Sequence, residues 1–299
     1  MSPKQTLKTG ITEPVENILC ILAPNPSPMT FKGTNTYIID NGELAIIDPG
    51  PINKKHFDTI LEITAGRTVK YIFLTHSHVD HSPLAKHLSA ELSAPIYAYG
   101  ASNTGLSSTM LSLLSSGYES GSEGIDYDFI PDNLIKNDDR FKLNNNVISV
   151  IHTPGHMGNH VCFQYDKILF SGDHVMGWAT SMVSPPYGDL TQFMASCRLL
   201  QTKEFDLFLP GHGDPVRNPS ERVEFLINHR LDRERQIIKT IKNNPLTALE
   251  ITELVYTDID SSLIPAATRN VFAHLIDLNE RGLIVFKSEI SEKSKVCLK

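Results

Sequence analysis

An apolar segment that runs directly into four potential metal ligands most strongly constrains how this chain can fold. Residues 71–74 (Tyr-Ile-Phe-Leu) have the composition of a short buried strand, and Thr-His-Ser-His-Val-Asp-His follows at once. In an extended segment His76 and His78 point to the same side, so their imidazoles suit one ion. Asp80 and His81 follow as the backbone turns into a helix, which aims them at a second position nearby. The spacing therefore indicates a cation site with room for two metals.

The ligand types favour zinc. Neutral imidazoles with a few carboxylates and no thiolate suit Zn²⁺ best, and they leave Fe and Mn open. The four cysteines, at positions 20, 162, 197 and 297, are far apart and form no C-x-x-C pair, so we expect buried, reduced thiols. The alternative, a histidine-rich surface loop, fits poorly with this spacing directly after a strand.

The composition is that of a globular protein with no membrane segment. With 299 residues the chain has room for one large domain and a small one. It has no run of about 18 apolar residues, and residues 1–14 lack the features of a secretory signal or transit peptide, so we expect a cytoplasmic protein. Residues 219–299 hold 12 of the 27 basic and 12 of the 34 acidic side chains, which leaves 15 basic and 22 acidic in residues 1–218. This acidic larger part disfavours general nucleic-acid binding.

One pattern recurs five times in the first 213 residues. An apolar strand ends in a turn that contains Gly, Pro or Thr and carries His or Asp. Glycine lets the backbone approach a ligand closely and proline fixes the turn, so these side chains can converge on a common centre. The segments are residues 44–50 with Asp48, 71–81, 147–156 with Thr-Pro-Gly-His, 167–174 with Ser-Gly-Asp-His, and 206–213 with Leu-Pro-Gly-His-Gly.

Residues 101–124 interrupt this pattern with a Ser- and Gly-rich segment. Such a segment is either a mobile lid over the centre or a solvated insertion without a functional role. The sequence leaves both alternatives open.

The C-terminal part has the pattern of three helices followed by a hairpin. Asn218 is a predicted N-cap, and Thr247 with Glu250 forms a predicted capping box. This order describes a winged-helix module, which often binds nucleic acid. Here the third helix offers only Arg269 and Arg281 against two acidic residues, which favours a packing role or a homodimer contact. The predicted elements are helices from Pro219 to about Asn243, from Thr247 to about Tyr256 and from Pro265 to Gly282, and a hairpin of residues 283–286 and 296–298.

The chain resembles the metallo-β-lactamase superfamily over residues 20–213. Within it, the chain is most similar to the lactamase-beta-like-2 group and to glyoxalase-II-like members. The subgroup resemblance rests on Asn35-Thr36-Tyr37, on residues 185–190 (Pro-Pro-Tyr-Gly-Asp-Leu) and on the C-terminal module. The superfamily motifs match, in order, Asp48, His76-x-His78-x-Asp80-His81, His156, Asp173 and His212.

This resemblance implies an α+β fold. Residues 1–218 would form the αβ/βα sandwich of a metallo-β-lactamase-fold catalytic domain, and residues 219–299 a small winged-helix domain. The site would lie along one edge of the sheets. That position agrees with ligands at strand ends.

The resemblance also implies a complete dinuclear ligand set. Asp173 would bridge the two ions, and Asp48 would orient an imidazole by hydrogen bonding. A water shared by the ions would supply hydroxide as the nucleophile at neutral pH. The implied ligands are His76, His78 and His156 on one ion, and Asp80, His81 and His212 on the other.

Three further histidines lie next to these motifs. His174, which follows Asp173, is the best candidate to contact substrate as a second catalytic residue beside Asp80, together with Tyr187. His152 and His160 are predicted to be structural, with a backbone group or Asp48 as the partner of His152.

Three functions remain compatible with the sequence. Lactamase activity is not among them, because the chain has no thiolate ligand and lactamases without one lack the bridging aspartate. The first is a hydrolase of a small-molecule ester, thioester or lactone, favoured by the acidic main domain. The second is an endoribonuclease on single-stranded RNA, because animal members of the lactamase-beta-like-2 group cut RNA. The third is a non-enzymatic winged-helix regulator, which the complete ligand set disfavours.

Overall fold

The computed structural model describes residues 10–118 and 124–299, and two facing β-sheets form the centre of this part. The first four strands of sheet one are antiparallel and the later ones are parallel. Side by side in chain order they are β1 (Ile11–Val15), β2 (Ile18–Leu22), β3 (Asn35–Asn41), β4 (Glu43–Ile47), β5 (Val69–Phe73), β6 (Ile96–Ala98) and β7 (Asn133–Leu134).

The second sheet is antiparallel except for its last pair. Its apolar side chains face those of the first sheet, so that residues such as Phe73 and Phe163 share one buried core. The strands are β8 (Arg140–Leu143), β9 (Asn146–His152), β10 (Val161–Tyr165), β11 (Ile168–Gly172) and β12 (Leu207–Pro210), of which β11 and β12 are parallel.

Helices cover the outer faces of both sheets. The first two pack on sheet one, where Ile60 and Leu88 join Ile46. The fourth and the start of the fifth pack on sheet two through Phe193 and Leu226. This layer order is the predicted αβ/βα sandwich. The helices are α1 (Lys54–Thr64), α2 (Ala85–Leu92), α3 (Ser108–Ser115), α4 (Leu190–Gln201), α5 (Pro219–Thr240), α6 (Ala248–Val255) and α7 (Ile264–Glu280).

Among the described residues, no helix is both long enough and apolar enough to cross a bilayer. The longest, α5, has 22 residues and carries charged side chains along its length. The first nine residues of the N-terminal segment interpreted above lie outside the described residues.

The C-terminal helices and hairpin follow the sequence prediction closely. Thr247 and Glu250 form the predicted capping box at the start of α6. Strands β13 (Ile284–Phe286) and β14 (Val296–Leu298) pair antiparallel. Helix α5 ends at Thr240, before the predicted end near Asn243. Asn218 is the N-cap residue and Pro219 the first helical residue, as predicted, but the Asn218 side chain donates to Glu221 Oε2 (3.1 Å) and makes no hydrogen bond to the helix backbone.

Helix α5 belongs to both parts of the chain. Its first half, with Val223 and Leu226, packs into the core beside sheet two. Its last turn, with Ile237, packs with Phe272 and Leu275 of α7 in the C-terminal core. The boundary predicted between residues 218 and 219 stays a prediction; α5 begins directly after it, at Pro219, and still packs its first half on the sandwich.

The segment 101–124 is not a solvated insertion. It contains α3, whose Met110 and Leu113 are buried in the C-terminal core against α7. Thr109 donates a hydrogen bond to Glu280, and the Tyr118 hydroxyl donates to Glu292 Oε1 (2.6 Å). The segment therefore joins the two parts of the chain; its residues 119–123 lie outside the described residues.

Replacing His56 by glutamine is expected to flatten the loss of stability in acid. Burial lowers the pKa of His56 to about 4, and its Nε2 lies 3.1 Å from the Pro49 carbonyl oxygen. In the unfolded chain His56 takes up a proton near pH 6.5, whereas in the folded chain it stays neutral until the pH is close to 4. The contribution of neutral His56 to the free energy of unfolding is therefore fully present above pH 6.5 and is lost as the pH falls toward 4. Between pH 7 and 4.5 the wild type should lose about 2 kcal/mol more than His56→Gln in urea unfolding. Equal losses would contradict this role.

Candidate metal centre

The strand ends bring seven metal-capable side chains together at one edge of the sandwich. The loop after β5 contributes four, because α2 begins only at Ala85 and the preceding residues form a turn. The segments after β9, β11 and β12 contribute one each. These side chains fall into two groups, His76, His78, His156 and Asp173 in the first and Asp80, His81 and His212 in the second.

The first group surrounds a point between three imidazoles. His78 Nδ1 lies 2.9 Å from His76 Nε2 and 3.1 Å from His156 Nε2. Asp173 Oδ2 lies 3.7 Å from His156 Nε2 and 4.0 Å from His76 Nε2. Three nitrogens and one carboxylate oxygen can therefore bind one ion.

The second group shares Asp173 with the first. Asp80 Oδ2 lies 3.1 Å from His212 Nε2 and 3.3 Å from His81 Nε2. Asp173 places Oδ2 at 3.3 Å from His212 Nε2 and Oδ1 at 3.5 Å from His81 Nε2. Asp173 thus lies between the groups, where a bridging carboxylate is expected.

Hydrogen bonds fix which nitrogen each histidine presents. Asp48 Oδ2 lies 3.0 Å from His81 Nδ1, and Thr75 donates to the same carboxylate from its backbone N–H and its hydroxyl (both 2.7 Å). His156 Nδ1 donates to the Met182 carbonyl oxygen (2.7 Å) and His212 Nδ1 donates to a backbone carbonyl (3.1 Å). These three rings therefore direct Nε2 toward the centre, whereas His78 presents Nδ1. The expected role of Asp48 agrees with this geometry.

The imidazoles of the first group are neutral at pH 7. Burial lowers the pKa of His76 well below its ordinary value. Burial, followed by the neighbouring His156, lowers the pKa of His78 to about 3, and burial lowers that of His156 as well. Neutral imidazoles have a free lone pair, which is the form that binds a metal.

The second group is held by opposite charges. Burial opposes charge here, yet Asp173 raises the pKa of His212 to about 10 and Asp80 raises that of His81 well above its usual range. Burial would raise the carboxyl pKa values, but the paired histidines hold those of Asp80 and Asp173 well below normal. A cation that enters this group replaces protons as the counter-charge of the carboxylates.

The residues fit a pair of divalent ions. His81 Nε2 and Asp173 Oδ1 are buried without a hydrogen-bond partner, which is costly for polar atoms unless a cation satisfies them. Gly211 leaves the space that they need, because a Cβ there would overlap Asp173 Oδ1 and lie 2.7 Å from His81 Cε1. The set of five histidines and two aspartates, without thiolate, suits zinc, iron or manganese.

His174 does not reach this centre. Its ring is fully buried, packs against Phe193 and places Nε2 3.5 Å from Cys197 Sγ. The expectation that it contacts substrate is corrected, because the residue after Asp173 points to the opposite side of the strand end, into the core. Tyr187, its expected companion, does line the cavity beside the centre.

The other two neighbouring histidines are structural, as predicted. His152 Nε2 lies 3.0 Å from the Gly158 carbonyl oxygen and its ring stacks on Tyr99. His160 Nε2 accepts a hydrogen bond from the Asp173 backbone N–H (3.2 Å). His160 therefore holds the turn that carries Asp173.

A cavity of about 590 Å³ opens onto the centre. Five of the seven side chains line it, whereas His76 and His81 are buried beneath. Its other walls are mostly apolar and come from both parts of the chain. The apolar lining includes Met29, Ile125, Met176, Trp178 and Met182 from the sandwich and Tyr256, Ile259, Leu263 and Ala266 from the C-terminal module.

Residues 29–212, more than half of the chain, match the family model of the metallo-beta-lactamase superfamily. The chain belongs to this superfamily. Residues 247–293 match a second model, the beta-lactamase associated winged helix domain. Together the two matches confirm the resemblance seen in the motifs and the winged-helix interpretation of the C-terminal part.

Curated relatives and a solved structure of another protein agree with the assignment of this chain to the metallo-β-lactamase superfamily. It is 30% identical over 298 residues to the beta-lactamase-like protein 2 homolog of Drosophila melanogaster, covering 95% of each chain. It is 28% identical over 237 residues to the atrochrysone carboxyl ACP thioesterase of Aspergillus fumigatus, covering 76% of this chain and 65% of the relative. A beta-lactamase domain protein from Burkholderia ambifaria shares the fold, with a TM-score of 0.80, 20% identity and coverage of 99% and 96%.

Apart from Asp48, sequence reasoning missed the groups that orient the histidines of the centre. Thr75 directly precedes the His-x-His motif, so its position was a usable signal. The carbonyl oxygens of Gly33 and Met182 gave none, because every residue carries one and only the fold selects which face a histidine.

Proposed function

We propose that this protein hydrolyses acyl thioesters by means of two divalent ions, with zinc as the resident metal. The observation that carries the proposal is the apolar cavity of about 590 Å³ that ends at the seven-residue centre. An acyl chain fits such walls, because burying its methylene groups is favourable and flexible methionine side chains adapt to its shape.

The reaction adds water to the carbonyl carbon and breaks the carbon–sulfur bond. The water oxygen becomes part of the carboxylate product, and the thiol leaves with a proton. Two bound divalent ions would supply a water that loses its proton near neutral pH and would polarise the carbonyl oxygen.

The chain's own side chains orient the substrate around this chemistry. Asp80 lines the cavity, and the paired histidines keep its pKa well below normal, so it is an acceptor at pH 7. Burial, followed by contact with Tyr127, raises the pKa of Tyr187, so its hydroxyl stays protonated and can donate. The apolar walls exclude bulk water from the reacting carbonyl.

The relatives support a thioester over an ester or lactone. The Aspergillus fumigatus relative is named as a thioesterase acting on a carboxyl group attached to a carrier protein. Single-stranded RNA is the alternative substrate expected from the sequence. The mostly apolar lining favours an acyl chain over the sugar–phosphate backbone of RNA, which needs several cationic contacts.

The test incubates the metal-loaded protein with acyl thioesters of increasing chain length and, separately, with labelled single-stranded RNA. We expect thioester turnover that increases with chain length and RNA cleavage at background level. Asp80→Ala should lose the activity. RNA cleavage that falls steeply with salt, in the absence of thioester turnover, would replace this function by the endoribonuclease.

A further inference from the structure

Arg269 stands out in the cavity because of its charge. Among the described residues that line the cavity, it is the one lysine or arginine. It lies on α7, half-buried, beside Ala266 and Asn270, which also line the cavity. The side chains of the candidate metal centre come from the sandwich, whereas Arg269 belongs to the cavity wall that the C-terminal module contributes.

Arg269 also lacks the partners that other arginines of this region have. No ion pair or hydrogen bond is observed for it within the described residues, and its Nε is buried without a partner. Every other arginine of residues 219–299 is used structurally. Arg222 donates to Met176 and Ala179, Arg230 to Ser181 and Asn270, Arg233 to Val255, Arg235 to Asp232 and Arg281 to Glu234 and Asp277.

Two further polar groups of the cavity wall also lack hydrogen-bond partners. Trp178 Nε1 and Ser184 Oγ are buried without hydrogen-bond partners, and both residues line the cavity. Buried donors without acceptors are uncommon in folded proteins and are typical of a surface that a ligand completes. The cavity thus combines an apolar wall with unsatisfied donors and one guanidinium that has no carboxylate partner.

We propose that Arg269 binds an oxyanion carried by the thioester substrate and so selects anionic acyl thioesters. The inference rests on the proposed function and specifies its substrate class. A planar guanidinium binds a phosphate or a carboxylate through paired N–H donors, and the apolar surroundings strengthen this contact. The oxyanion is either a phosphate in the thiol leaving group or a carboxylate on the acyl chain.

Three octanoyl-length thioesters separate these sources. The first, an N-acetylcysteamine ester, is neutral. The second, a phosphopantetheine ester, carries a phosphate on the leaving group. The third, an N-acetylcysteamine ester, carries a terminal carboxylate on the acyl chain. Arg269→Gln should raise KM roughly 10- to 100-fold for one anionic ester, with kcat changed less than about threefold. KM for the neutral ester should stay unchanged. Arg269→Lys should restore part of the preference, and Arg235→Gln, which lies outside the cavity, should behave as wild type.

A binding measurement separates failure of this inference from failure of the proposed function. Titration calorimetry needs no catalysis and uses three non-hydrolysable thioethers: S-octyl N-acetylcysteamine, S-octyl phosphopantetheine, and the N-acetylcysteamine thioether whose alkyl chain ends in a carboxylate. Wild-type protein should bind one anionic thioether roughly tenfold or more tightly than the neutral one, and Arg269→Gln should lose that preference. Equal affinities in the wild type, or equal losses for all three ligands in the variant, would overturn the role of Arg269. Anion-selective binding without turnover of any thioester would instead reject the hydrolase.

Discussion

Replacing Asp173 by asparagine is expected to abolish most of the hydrolase activity and to release metal. Asp173 is the side chain that approaches both groups of the centre, with Oδ2 at 3.3 Å from His212 Nε2 and Oδ1 at 3.5 Å from His81 Nε2. The amide removes the negative charge between two cations and points an N–H₂ group at one of them. Because charge stabilisation at such a centre is worth several kcal/mol, kcat/KM should fall about 1,000-fold.

Elemental analysis gives a second readout for Asp173→Asn. The wild type should hold about two ions per chain, and the variant one or fewer. Asp189→Asn is a matched control, because Asp189 is also buried but caps α4, where asparagine serves equally well. A variant Asp173→Asn that keeps both ions and full activity would show that Asp173 does not bridge.

The sequence predicted that these seven side chains converge because their positions follow a local rule. Each ligand comes directly after an apolar strand, as with His156 after β9 and Asp173 after β11. Strands that lie side by side end at one edge, so ligands at those ends meet without further information. The H-x-H-x-D-H spacing in the loop after β5 added the division into two groups.

The features that sequence reasoning missed depend on packing between distant segments. His174 was expected to face substrate, but its side chain lies in the core against Phe193. The sequence left residues 101–124 as either a mobile lid or a solvated insertion, yet Met110 and Leu113 of this segment pack on the C-terminal core. Such contacts join surfaces far apart in sequence, and no local pattern records which surfaces meet.

The cavity beside the metal centre also depends on such packing. Five of its apolar lining residues come from α7 and the segment before it, namely Tyr256, Ile259, Leu263, Ala266 and Ala267, and the other apolar lining residues come from the sandwich. The sequence indicated a packing role for the third C-terminal helix, and α7 buries ten side chains from Ala267 to Leu278. The sequence could not show that the exposed start of this helix faces the metal centre.

Replacing Arg230 on α5 is expected to weaken both the fold and the metal centre. Arg230 is 3% exposed, donates to the Ser181 carbonyl oxygen and to Asn270 Oδ1 (3.1 Å), and lies over the Phe193 ring. The residue after Ser181 is Met182, whose carbonyl oxygen accepts the Nδ1–H of His156 (2.7 Å). A side chain of the C-terminal part therefore fixes the loop that orients His156 of the candidate metal centre.

Two substitutions of Arg230 separate packing from positioning. Arg230→Ala leaves a cavity and two acceptors without their donor, so the free energy of unfolding in urea should fall by about 3 kcal/mol. Arg230→Met fills the space again and should recover part of that stability. Both variants leave the Ser181–Met182 loop unanchored, so metal affinity in chelator competition should fall about tenfold in each. Arg235→Ala, an exposed ion-pair residue on the same helix, should change stability by less than about 0.5 kcal/mol. Wild-type metal affinity in Arg230→Met would show that Arg230 only fills space, because the methionine restores volume but cannot hold the carbonyl that aligns His156.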